Sequence, residues 1–343
     1  MSTAINTTVA RNPTSPRVSV VTLNWNGWRD TVECLDSLLS MEYIPFDIVV
    51  LDNASTDGSV GNLESWAINR FASNPSEEVM TLHGGVFHLS AYPILRSLNG
   101  SKPACSLIIV KGSTNLGFAE GNNLAIGISV ARYHPAYVLL LNNDTVVSRN
   151  LLRSMIDAAV MNPSTGLVGP KVLHHRVPNR LGCAGGTVGR WTARITHKYA
   201  GQIDIGQFSH IEQRDFVSGT CMLFSVEALS RCGMLYPAFF FGGGEDVDIS
   251  LRLASHGFKI ISTPYALVWH KGEARQAIDL EGGRLFSYAY YAVRNTLILI
   301  FLRYRRWQLF TALTTLPAAF VGPAVGLLTS RNRLGRVLRE ATE

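Results

Sequence analysis

The 343-residue sequence is poor in several things, and each shortage excludes something. Only five cysteines occur, Cys34, Cys105, Cys183, Cys221 and Cys232, and no two form a C-x-x-C pair. An odd, scattered set argues against a disulfide framework or a thiolate zinc cage, and for reduced thiols in a cytosolic compartment. Residues 1–16 lack an apolar stretch and are rich in Thr, Asn and Pro, so the expectation is a disordered lead-in and no secretory signal. No internal repeat is visible. Acids are scarce at the other end. From Arg284 onward nine arginines face two glutamates, a balance of +7 in a chain whose total is +6, which leaves −1 for everything before it. A nucleic-acid binder more often carries its charge on the folded domain, so no nucleic-acid partner is expected. A basic tail interleaved with apolar runs suits a membrane surface instead.

Apolar residues make up 47% of the chain, enough for a sizeable core in one large α/β domain with an appendage. The run "RVSVVTLNWNG" (17–27) reads as a strand and a turn, and "RDTVECLDSLLSM" then sets Val32, Leu35 and Leu39 at helical spacing. "FDIVVLDNASTDGS" is a second buried strand. "SLIIVKGSTNLGFAEGNNLAIGISVARY" is strand, Gly-rich turn and helix, and "AYVLLLNNDTVV" is a fourth strand. Strands alternating with helices predict a mostly parallel sheet covered on both faces.

Each strand places polar residues at its C-terminal end, where open α/β sheets bind ligands. Asn24, Asp52 and Asp144 are therefore expected on one edge; turn capping, which Asp often performs, is the competing explanation. Residues 65–104 are longer than one crossover needs and read as an insertion, with His83 and His88 as surface histidines. The glycine-rich segment 181–201 reads as a mobile loop. It is not expected to cradle phosphate, because no helix pattern follows its glycines. In "FFFGGGEDVDISLRLASHGF", Glu245 and Asp246 open a short helix that Gly257 ends; acids also favour a first helical turn for electrostatic reasons alone. "PYALVWHKG" is a short strand ending in His270.

Taken together, Asp52, Asn142, Asp144, Asp246 and His270 suit a divalent cation, Mg²⁺ or Mn²⁺, that also binds a diphosphate, with a separate carboxylate free to accept a proton. The glycines of "NLGFAEGNN" let backbone approach a nucleotide closely. The pattern suggests transfer from a nucleotide-activated donor, and spacing leaves sugar transfer and nucleotidyl transfer both open.

At these residues the chain resembles the family-2 inverting glycosyltransferases of GT-A fold, most closely their rhamnosyltransferase-like branch. The marks are "VVTLNWNG", "VVLDNASTDGS", "NLGFAEGNN", "LLLNNDTVV", "VSGTCMLF", "GGGEDVDISLRL" and "VWH", in order from about Val18 to Leu302. The resemblance implies a GT-A domain over 17–285, an apolar and basic helical tail over 286–343, and a dTDP- or UDP-sugar donor with Mn²⁺ or Mg²⁺. It implies that Asp52 reads the base, and that Thr22, Asn24, Asn115, Gly117 and Asn122 line the nucleotide pocket. Asn142 and Asn143 would sit beside the diphosphate, and Gly219 would approach the donor sugar. Asp144 takes the last position of the family's D-x-D metal motif. Asn142 replaces the first carboxylate, which gives His270 more weight as a second metal ligand. Asp246 is implied as catalytic base, Glu245 as its alternate, and Asp248 as helix support.

The tail holds Leu309–Leu328, twenty uncharged residues interrupted by Pro317 and Pro323, with arginines on both flanks. A simple span wants its positive charge on one side. Helices lying in the cytoplasmic face of the membrane are therefore expected, with a span or a dimer-forming helix pair as alternatives, and with a lipid-linked or cell-envelope glycan as acceptor. Three further readings are set against the residues, and a processive synthase and a non-catalytic scaffold are kept as alternatives. "RYRRW" (303–307) is a partial match to the Q-x-x-R-W signature of processive synthases. A nucleotidyltransferase would want a Gly-rich basic loop after the first strand, where "NWNGWRD" stands. A non-catalytic nucleotide-sugar scaffold would lack Asp144, Asp246 or His270.

Overall fold

The computed structural model describes residues 15–43, 45–71, 73, 75–82, 85–94, 105–239, 243–272, 284–304 and 308. Most of the expected lead-in, His83 and the stretch Leu309–Leu328 lie outside the described residues.

The chain runs β1 (Val18–Asn24), α1 (Trp28–Leu39), β2 (Phe46–Asp52), α2 (Ser59–Phe71), β3 (Ser76–Leu82), β4 (Gly85–Ile94), β5 (Cys105–Lys111), α3 (Gly117–Tyr133), β6 (Tyr137–Leu141), β7 (Thr145–Val147), α4 (Leu151–Val160) and β8 (Thr165–His174). It continues with β9 (Leu181–Cys183), β10 (Gly186–Val188), β11 (Ile195–His197), β12 (Glu212–Gln213), β13 (Cys221–Ser225), α5 (Val226–Cys232), α6 (Glu245–Ser255), β14 (Lys259–His270) and α7 (Arg284–Arg303).

One large mixed sheet runs in the order β12-β14-β8-β13-β6-β1-β2-β5-β4-β3. Its centre, β6-β1-β2-β5, is parallel. These strands are apolar throughout because both faces are covered, and alternate residues go to opposite cores. Val18, Val20, Ile48 and Val50 pack under α1, α2 and α4. Val21, Val49 and Leu51 pack under α3, α5 and α6. A third, smaller cluster joins Phe216, Phe239, Val247 and Leu299, so α7 is packed onto α6.

Three expectations change. The 65–104 segment begins inside α2, the crossover helix, and then forms the antiparallel hairpin β3-β4, which extends the sheet beyond β5. His88 is exposed on it, as expected. The 181–201 segment is ordered: β9 joins β8, and β10 and β11 pair as a separate ribbon. Its glycines serve close packing. A Cβ on Gly186 would lie 2.4 Å from the Phe216 ring. Strand β14 is longer than the short strand expected, and among the described residues no helix is long and apolar enough to cross a membrane.

Candidate active site

Register puts the predicted residues at one edge. Asn24 stands opposite Asp52, and Asp52 opposite Lys111, at the carboxyl ends of three parallel strands. The triplet Asn142–Asp144 follows β6, the fourth. Antiparallel β7 sets Thr145 opposite His270, which brings the end of β14 to the same turn.

Asp52 is only 1% exposed, and both its oxygens are engaged. Asn24 Nδ2 donates to Oδ2 (2.7 Å) and Ser55 N–H to Oδ1 (2.9 Å). Asn24 is itself fully buried, and its Oδ1 accepts from the Thr31 hydroxyl (2.8 Å). The carboxylate expected to face a base is thus part of a packed network in this structure. Thr22 lies deeper still, fully buried within β1, with a hydroxyl that has no hydrogen-bond partner. Its position is inside the sheet.

The Gly-rich turn is built around a residue that the sequence reading passed over. Asn53 Nδ2 donates to Asn115 Oδ1 (3.0 Å) and Gly117 O (3.1 Å), and its Oδ1 accepts from Leu116 N–H (2.9 Å). Asn115 Oδ1 also accepts from Gly117 N–H (2.8 Å), and Gly117 has φ +74°. Asn122 is buried and donates back to Phe118 O (2.9 Å) one turn earlier. Gly112 is required by close approach, since a Cβ there would lie 2.6 Å from Asp52 O.

Asp144 and His270 meet. Their Oδ1 and Nε2 atoms are 3.1 Å apart, and both side chains are partly exposed. Lys271 follows His270 and reaches across to Asp30 (3.1 Å) and Glu33 on α1, which holds the Glu33 carboxyl below its ordinary range. One oxygen and one imidazole nitrogen suit Mn²⁺ or Mg²⁺. Among the described residues no group of three or more His, Cys, Asp or Glu could hold a metal ion. An ion held by this pair would need its remaining ligands from outside these two side chains. Asn142, half-buried two residues before Asp144, is anchored through its main chain: its N–H donates to Thr220 O (2.9 Å).

Glu245 and Asp246 open α6 after Gly244, whose φ of +103° is a left-handed value that glycine adopts without a Cβ penalty. Asp246 accepts two backbone hydrogen bonds, from Gly219 N–H (3.0 Å) and Val247 N–H (2.8 Å). Burial raises the Asp246 carboxyl above its ordinary range, and these bonds and the nearby His197 oppose the shift. Burial and the charge of Asp246 push Glu245 up to about 8. Two buried neighbours do not both ionise at neutral pH. More N–H donors stand on Asp246 than on Glu245, which favours the charge on Asp246 and the proton on Glu245. Asp248 is fully buried between two guanidinium groups, Arg252 (3.0 Å) and Arg303 (2.5 Å).

These groups form one connected chain. Asn143 Nδ2 donates to the Thr31 hydroxyl (2.9 Å), which leads through Asn24 to Asp52. Asn142 is bonded to Thr220, whose neighbour Gly219 holds Asp246. The Asn-Asn-Asp triplet thus joins both halves of the site. Thr31 and Thr220 are further parts that no sequence signal singled out.

Known proteins resemble this chain in sequence and in fold. A sequence profile described as Glycosyltransferase like family 2 matches residues 90–281, and one described as Glycosyl transferase family 2 matches residues 19–78. The uncharacterized protein Rv1525 of Mycobacterium tuberculosis and its Mycobacterium bovis counterpart Mb1552 are each 24% identical over 172 residues, half of this chain. The match spans 59% of the length of those curated relatives. Among solved structures, the mannosyltransferase PcManGT from Pyrobaculum calidifontis, in complex with GDP-Man and Mn²⁺, superposes with a TM-score of 0.51 at 19% identity, covering 94% of this chain and 81% of that one. GalNAc-T7 with UDP, GalNAc and Mn²⁺ gives 0.52 at 14% identity, covering 76% and 44%. These two likenesses show the GT-A fold. With most of its length matched by the two profiles, the chain belongs to glycosyltransferase family 2.

Proposed function

We propose that the chain is an inverting glycosyltransferase that uses a pyrimidine nucleotide sugar, dTDP-rhamnose by its motifs, and a divalent cation. Its acceptor is a hydroxyl of a lipid-linked or cell-envelope glycan at the inner face of the cell membrane. The observation that carries the reading is the Asn142–Asp144 triplet, bonded on one side to the Asp52 network and on the other to the segment that holds Asp246. Fold neighbours hold GDP-Man or UDP with Mn²⁺, which supports a nucleotide donor and a metal without choosing the base. The basic, apolar composition after Arg284 supports the membrane-facing acceptor.

Asp246 accepts the proton of the acceptor hydroxyl. The hydroxyl oxygen bonds to the anomeric carbon as the bond to the nucleoside diphosphate breaks on the opposite face, so configuration inverts. Asp144 and His270 would hold the cation, which when bound offsets charge on the departing diphosphate. Gly219 N–H and Val247 N–H keep Asp246 anionic and aimed. Its raised pKa makes it a stronger base than an exposed carboxylate.

Calorimetry with UDP, dTDP, GDP and their common sugar conjugates, in Mn²⁺ and in EDTA, tests this. One pyrimidine nucleotide sugar should bind tightly with metal and weakly in EDTA. Preference for GDP, or no binding of any donor, would contradict the proposal.

A further inference from the structure

We propose that Asn295 and Arg303 of α7 are positioning residues that hold the catalytic carboxylate Asp246 from both sides. The inference rests on the reading of Asp246 as base.

The lead into α6 is poorly secured by its own sequence. Gly243 and Gly244 have φ of +82° and +103°, and the N-terminus of α6 has no side-chain cap. Paired glycines give this turn its shape and give it no rigidity. The missing constraint comes from α7, about fifty residues later in the chain. Asn295, 2% exposed, donates from Nδ2 to Gly243 O (2.7 Å). Arg294 donates to Asn295 Oδ1 (2.9 Å) and to Ala238 O (2.7 Å), which fixes the orientation of the Asn295 amide. A Cβ on Gly244 would lie 3.5 Å from Asn295 Cβ, so the two backbones are in packing contact.

On the other side of the base, Arg303 donates to Asp248 Oδ1 (2.5 Å) while Arg252 donates to Oδ2 (3.0 Å). Asp248 lies two residues after Asp246 and is fully buried. Asn295 and Arg303 are eight residues apart on one helix, about 12 Å of rise and on the same side. Between them Leu299 packs with Phe239 and Val247. One helix face therefore grips the turn before Asp246 and the first helical turn after it. The same helix end reaches the β10-β11 ribbon, where the Tyr304 hydroxyl donates to Gly189 O (3.0 Å). Helix α7 lies beyond residue 281, where the family profile match ends.

A displacement of about 1 Å at a reacting group costs on the order of 100-fold in rate. The loss expected on cutting either tie is therefore in kcat and not in donor binding, because the Asp52 and Asp144 side of the site makes none of these contacts. The test uses the full chain, the donor selected by the calorimetric panel and an envelope-lipid extract as acceptor. Release of nucleoside diphosphate is counted per nucleotide-binding site. Asn295→Ala and Arg303→Ala should each lower kcat about 10- to 100-fold, with donor KM and nucleotide Kd within about twofold. Asn295→Asp keeps the volume and loses the donor to Gly243, so it should lose kcat as Asn295→Ala does; it decides the matter if the alanine variant fails to fold. Arg303→Lys should recover part of the Arg303→Ala loss.

Unchanged kcat per site in the Asn295 variants, or a parallel fall in kcat and donor affinity, would overturn the inference. Asp246→Asn serves as control. If it abolishes transfer while Asn295→Asp keeps kcat, the positioning role fails and the base assignment stands. If Asp246→Asn keeps transfer, or if no donor binds, the base assignment and this inference fail together.

Discussion

The two halves of the site are held in different ways. Around Asp52, short amide side chains do the work: Asn24, Asn53, Asn115 and Asn122 bond to groups carried by β1, β2 and α3 or by the turns that follow them. Around Asp246 the direct contacts are backbone N–H groups and glycines, and rigidity is supplied by α7 from far along the chain. The first arrangement is redundant, with several side chains sharing bonds that bridge 28 to 64 positions of chain. The second bridges a similar 52 and 55 positions, and few bonds carry it. On the proposed reading, a preformed nucleotide shelf facing a base set by α7 would separate donor binding from catalytic rate.

Four substitutions test that contrast, in falling order of effect. Asp248→Ala removes the buried carboxylate that Arg252 and Arg303 share, and should cost about 3–5 kcal/mol in denaturant unfolding. A loss below about 1 kcal/mol would mean that the base side does not depend on this carboxylate. Asp144→Ala should weaken nucleotide-sugar binding on the order of 100-fold in Mn²⁺ and remove its sensitivity to EDTA, read by calorimetry. Asn24→Ala strips partners from Asp52 and Thr31, and should cost about 1–3 kcal/mol of stability. A matching fall in nucleotide affinity with unchanged kcat would sharpen the separation of the two halves.

The fourth effect is read as a slope. The folded-state pKa of Glu245 is raised to about 8, so the stability that it contributes as a neutral acid is present at low pH and is lost as pH rises toward 8. Thermal melts from pH 5 to 8 should show this decline, and Glu245→Gln should flatten it.

The contrast also explains what was legible in the sequence. Parallel strands buried on both faces, as in "VSVVTLN" and "FDIVVLD", write themselves as apolar runs, and their polar ends place Asn24, Asp52 and the triplet at one edge. The β3-β4 hairpin was less visible because an edge pair carries charge and proline, as at Glu77, Glu78 and Pro93. The β10-β11 ribbon was hidden by the glycines that its tight packing on Phe216 demands. Thr31 and Asn53 act through partners that ordinary turn residues also make, so nothing marked them. The Asp248–Arg303 pair joins residues 55 apart, and no local pattern records such a contact.

The measurement that tests the account most directly is Asp246→Asn assayed twice on one preparation, for sugar transfer and for calorimetric binding of the nucleotide donor. Transfer reduced at least about 10³-fold, with metal-dependent donor binding kept within a few-fold, is the predicted result. Near-full transfer by the variant would contradict it.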